Sequence, residues 1–92
     1  MLYCVMIDVN LPADMDPAEL ARLKETERLR AIELQESGKF LHLWRVAGRM
    51  ANVSIFDVES HDELHDLLMS LPMFPYFTLK VVPLAKHPSS IK

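Results

Sequence analysis

"KFLHLWRVAGRMANVSIFDV", residues 39–58, decides the fold. Two runs rich in aliphatic, aromatic and β-branched residues, "KFLHLWRVA" and "ANVSIFDV", flank the short segment "GRM". This pattern predicts two antiparallel strands joined by a short hairpin connection. Alternation places Phe40, His42, Trp44 and Val46 on one side of the first strand, and Leu41, Leu43, Arg45 and Ala47 on the other. In the second strand Ala51, Val53 and Ile55 share one side, and Phe56 and Val58 lie on the other beside Asn52 and Ser54. Both sides of both strands are largely apolar, so both faces of the sheet are expected to be covered.

Upstream of the hairpin, residues 2–10 read as a strand that "LPADMDP" ends with two prolines. Asp16 then caps a helix, Pro17 sits at its first position and Glu19 completes a capping box. The helix is predicted to run to about Ser37, where Gly38 provides a stop. Downstream, Ser60 and Glu63 repeat the capping signal. Leu64, Leu67, Leu68 and Leu71 form the apolar stripe of a second helix that Pro72 ends. "YFTLKVVPL" is the last strand. The order β-α-β-β-α-β predicts a ferredoxin-like α+β fold, an antiparallel sheet with two helices on one face. Residues 1–86 form one domain, and residues 87–92 form an irregular tail. Two helices cover only one face, and the first strand is apolar on both, so a homo-oligomer is expected to bury the second face.

The 92 residues suffice for one domain with a modest core, and the net charge of −3 comes from interspersed charges. No basic face stands out, which argues against nucleic acid as a partner. The N-terminal stretch "MLYCVMIDVNLP" has no basic region before its apolar residues and reads as a strand, not a signal peptide. No apolar run approaches the ~18 residues of a membrane span. Cys4 is the single cysteine, which excludes an internal disulfide and a cysteine zinc site and fits a reduced, cytoplasmic setting. The four histidines have no metal-motif spacing with the acids, and the two glycines make no phosphate loop.

The first helix carries the most informative residue. At about 100° per residue, Leu20, Leu23, Ala31 and Leu34 cluster in one arc, and Glu27 falls inside it. Lys24 lies at one margin and Arg30 at the other. A partly desolvated carboxylate has a raised pKa and can both take and return a proton. The same spacing also allows Glu27 to pair with Lys24 or Arg30 on the rim. Leu29 and Ile32 form a second apolar edge that would turn the core face away from Glu27. Periodicity alone favours these structural readings, because such patterns mark more surface ion pairs than active-site bases. Arg45, on the leucine-bearing face of its strand, needs an anionic partner, either Glu27 or a substrate carboxylate. His42 and Trp44 share a strand face, where Trp44 reads as core and His42 as its hydrogen-bonded neighbour. His61 and His65 read as solvated, Cys4 as packed, and Arg49 as a surface or lid residue in the turn.

The segments "LPADMDPAE", "HLWRVAG", "ANVSIFDV", "LHDLLMSLPMFPY" and "HPSSI", in this order and spanning nearly the whole chain, closely resemble the muconolactone Δ-isomerase family. The resemblance implies a ferredoxin-like fold and a decamer of paired subunits. It implies conversion of (+)-muconolactone to 3-oxoadipate enol-lactone, in the catechol branch of the β-ketoadipate pathway, without metal or cofactor. It further implies a pocket at a subunit interface, closed by a neighbour's C-terminal segment. In that family a glutamate on the first helix carries the proton with a lysine nearby, and Glu27 and Lys24 occupy the matching places. With this chemistry Arg45 is assigned to the substrate carboxylate, and His42, Trp44, Asn52 and Tyr76 to the pocket lining. Related readings are a chloromuconolactone dehalogenase, whose chemistry also begins with proton abstraction, a non-catalytic ferredoxin-like binding module and a cofactor-free monooxygenase.

Overall fold

The structure, a computed structural model, describes residues 1–92. The elements are β1 (Leu2–Val9), α1 (Pro17–Glu36), β2 (Phe40–Arg45), β3 (Ala51–Asp57), α2 (His61–Met69), a 3-10 turn (Phe74–Tyr76) and β4 (Phe77–Leu84). All strand pairs are antiparallel, in the spatial order β2-β3-β1-β4. This is the ferredoxin-like arrangement the sequence predicts. Residues 85–92 carry no regular secondary structure. No helix is long and apolar enough to cross a membrane.

The capping signals act as expected. The Asp16 carboxylate accepts the Glu19 N–H at 3.1 Å, and the Ser60 hydroxyl accepts the Glu63 N–H at 3.0 Å, which satisfies one orphan donor at each helix start. Gly38 follows the C-cap Ser37 with φ +81°, a left-handed conformation that glycine adopts without steric cost. In the hairpin the Arg49 N–H donates to the Val46 carbonyl at 3.1 Å, and Gly48 has φ +78°. That is a turn with glycine at the one position that needs positive φ. α2 stops at Met69, so Leu71 completes its stripe from the segment beyond the helix.

One face of the sheet meets both helices. Tyr3, Val5 and Ile7 of β1 and Phe56 of β3 pack with Leu34 of α1, and with Leu64 and Leu68 of α2 and Leu71 just beyond it. Phe40 joins this core and stacks on Phe56, with ring centroids 4.4 Å apart. Simple alternation put Phe40 on the side of His42 and Trp44, and this is corrected by a β-bulge. Phe40 pairs with Phe56, but His42 pairs with Ile55, so Leu41 is the extra residue and the side-chain phase shifts across it. Beyond the bulge Leu43 and Arg45 continue on the helix side, and His42 and Trp44 face away.

Candidate active site

α1 stands over the sheet and encloses with it a cleft of about 610 Å³. Lys24, Glu27, Arg28, Ala31 and Gln35 supply the helix wall, at spacings that keep them on one face. The floor comes from the helix-side positions of the strands, among them Ile7, Leu43, Arg45, Asn52 and Ser54. Leu71, Met73 and Phe77 close one end. The lining is mostly apolar, with Glu27 as its single carboxylate.

Glu27 makes neither of the ion pairs its sequence neighbours allowed. Arg30 instead engages Glu33 and the Ser70 hydroxyl. Glu27 Oε1 accepts the backbone N–H of Met73 at 2.9 Å. A turn aims that N–H: the Phe74 N–H donates to the Leu71 carbonyl at 2.9 Å, with Pro72 and Met73 as its central residues. Met73, at φ −84° and ψ 1°, has the second-corner geometry of a type I turn, and Pro72 pre-sets the first corner. The turn itself does not use the Met73 N–H, which is left for the carboxylate. One oxygen of Glu27 is thereby fixed while Oε2 makes no hydrogen bond within the chain.

Burial raises the Glu27 pKa above the ordinary carboxylate value, and the Met73 hydrogen bond opposes this only in part. The charged form is thus costly in this cleft, and the carboxylate is correspondingly a better base. The cleft also holds three cations. Arg28 is tied to Glu25 by hydrogen bonds of 3.1 and 2.8 Å. Lys24 and Arg45 make no ion pair, and the only side-chain partner of Arg45 is the Met50 sulfur at 3.9 Å. Two unneutralised cations in a mostly apolar cleft suit an anionic ligand.

Of the residues singled out from sequence, the cleft brings together Glu27, Lys24, Arg45 and Asn52. Three others lie elsewhere in the single chain. His42 and Trp44 stack on each other, centroids 4.9 Å apart and 9° from parallel, on the opposite sheet face. Strand alternation beyond the bulge puts them there, and Trp44 is exposed, not core. Tyr76 ends the 3-10 turn outside the lining, with its carbonyl accepting the Asn10 N–H at 2.8 Å. Two contributors were missed. Arg28 lies four residues after Lys24 on the same face, a spacing that was available in the sequence. The Met73 amide had no sequence signal, because a backbone donor is defined by a turn packed from elsewhere in the fold.

Comparison with known proteins identifies the family. The family model described as muconolactone delta-isomerase matches residues 1–90. The chain is 58% identical to the muconolactone Delta-isomerase of Cupriavidus pinatubonensis over 92 residues, covering 100% of both chains. It is 45% identical to that of Acinetobacter baylyi, covering 100% of this chain and 96% of the relative. A crystal structure of muconolactone isomerase superposes with a TM-score of 0.95 at 52% identity, covering 100% of this chain and 96% of the other. Sequence, fold and full-length coverage agree, and the chain belongs to the muconolactone Δ-isomerase family.

Proposed function

We propose that this chain isomerises (+)-muconolactone to 3-oxoadipate enol-lactone, with Glu27 as the single proton carrier. The observation that supports this most strongly is the half-buried Glu27 carboxylate, held by one oxygen and facing an apolar cleft with two unpaired cations. The reaction moves one proton between two carbons of the same allylic system. Glu27 takes the proton from the ring carbon that bears the carboxymethyl group. The electron pair delocalises through the ring double bond onto the lactone carbonyl oxygen. Glu27 then returns the proton to the carbon next to the lactone carbonyl, and the double bond moves by one position. Atoms and charge balance without an added redox partner, so no redox cofactor is called for. Lys24 stabilises the dienolate oxygen or orients Glu27, and Arg45 holds the substrate carboxylate beside Asn52.

In this reading residues 1–86 form the working domain and residues 87–92 a tail. The protein acts in the cytoplasm, in catechol breakdown by the β-ketoadipate pathway, as a homo-oligomer built as a decamer of paired subunits. The direct test is a spectroscopic assay of purified protein with (+)-muconolactone in the presence of a chelator. Conversion to the enol-lactone without oxygen uptake is the expected result. No conversion, with chloride release from a chloromuconolactone, would replace the isomerase by a dehalogenase.

Arg45→Gln gives a separate prediction. Loss of a charge-assisted contact to the carboxylate raises KM by about 30- to 100-fold, with a much smaller change in kcat. A fall in kcat at constant KM in steady-state kinetics would instead move Arg45 to the dienolate.

A further inference from the structure

Ser54 is the one polar residue among the 14 buried residues and is 0% exposed. Its cross-strand partners are Val5 and Leu43, both apolar. A hydroxyl in such a place is destabilising unless it is hydrogen-bonded. Its partner is Asn52, two residues along the same strand and on the same face, with Ser54 Oγ donating to Asn52 Oδ1 at 2.9 Å. Because the amide oxygen is engaged there, Asn52 exposes its Nδ2 donor, which bonds no protein group. Asn52 is also the cross-strand partner of Arg45, so the two side chains rise side by side from the cleft floor.

We propose that Ser54 is a positioning residue: it fixes the Asn52 amide with Nδ2 toward the cleft, so that Asn52 and Arg45 together bind the substrate carboxylate. This rests on the reading of the ligand as a carboxylate-bearing lactone. With Ser54 absent, the Asn52 amide is free to rotate and present its oxygen, which repels an anion.

The test combines kinetics on (+)-muconolactone with calorimetric titration of levulinate as a simple carboxylate probe. Ser54→Ala is expected to raise KM and weaken levulinate binding by about 5- to 10-fold, less than the loss of a charge-assisted hydrogen bond, because the Asn52 donor remains and only its orientation is lost. Asn52→Ala does at least as much, and adding Ser54→Ala to it has no further effect, because Ser54 acts only through Asn52. Ser54→Thr, which keeps the hydroxyl, restores binding. Asn52→Asp leaves an acceptor for Ser54 and the core untouched but turns an anion toward the cleft, and weakens binding more than Asn52→Ala. Full additivity of Ser54→Ala and Asn52→Ala, or unchanged levulinate affinity in both, would overturn the proposal whatever the turnover. A wild type that binds levulinate in this Ser54-dependent way yet leaves muconolactone unchanged keeps the positioning role and removes the isomerase.

Discussion

Glu27→Gln is expected to lower kcat on muconolactone by about 10⁴-fold, the upper range for loss of a positioned acid–base group, while the fold survives. The amide keeps the shape of the side chain, and its oxygen can still accept the Met73 N–H that now binds Glu27 Oε1 at 2.9 Å. Only the capacity to take and return a proton is lost. Stability should move in the opposite direction. Glu27 has a folded-state pKa raised by burial above its unfolded value. Its contribution to stability is complete below the unfolded pKa and is lost as pH rises through the folded one. At pH 7 the variant, with no charge to bury, should therefore melt at or above the wild-type temperature, and the gap should close as pH falls toward 4. The wild-type pH profile supplies the matching observation: kcat/KM should fall on the acid side with an apparent pKa above the ordinary carboxylate value. Turnover by Glu27→Gln within tenfold of wild type would sink the assignment. A variant that melts well below wild type at pH 7 would instead give Glu27 a structural role through Met73.

The fold was largely legible because its signals are local. Asp16, Ser60 and Gly38 act on backbone groups within four residues, and strand alternation is a property of the chain itself. The bulge at Leu41 was not legible, because nothing in "FLHLW" distinguishes an extra unpaired residue from regular pleating. One unpaired residue was enough to change which side Phe40 shares with its neighbours. The site was legible to the extent that it lies on α1, whose period placed Glu27 and Lys24 on one face. Glu27 remained ambiguous because an ion pair and a desolvated base leave the same pattern in sequence. The choice between them depends on Arg30 finding Glu33 one turn along the helix and Ser70 across the fold, and on an amide from the turn at Pro72–Met73; the last two are set by tertiary packing.

Val53→Glu is expected to break the protein into smaller species and to leave the Glu27 cleft formed. Val53 pairs with Trp44 on one side and Met6 on the other, in the middle of the sheet face that neither helix covers. Around it, Trp44 is 55%, Met6 45% and Leu84 41% exposed in the single chain, with Ile55, Cys4 and Val82 half-buried beside them. The strand register joins these side chains into one largely apolar surface across β2, β3, β1 and β4, with Lys80 opposite Met6 as a charged member. Surfaces of this kind mark association sites, and a core of 14 buried residues leaves a 92-residue chain with much to gain from covering it. A carboxylate at its centre would have to be desolvated among apolar side chains, which costs several kcal/mol per subunit and opposes every copy of the contact. Light scattering should give the wild type a mass several times 10.6 kDa, and Val53→Glu a smaller one. Glu27, Met73 and Arg45 lie on the other side of the sheet, so residual activity of the dissociated variant separates two possibilities. Activity near wild type would make one chain's cleft sufficient, whereas its loss in a folded variant would mean that a neighbour completes the site. A wild type that is monomeric at micromolar concentration would refute the assembly and leave Trp44 and His42 as surface residues.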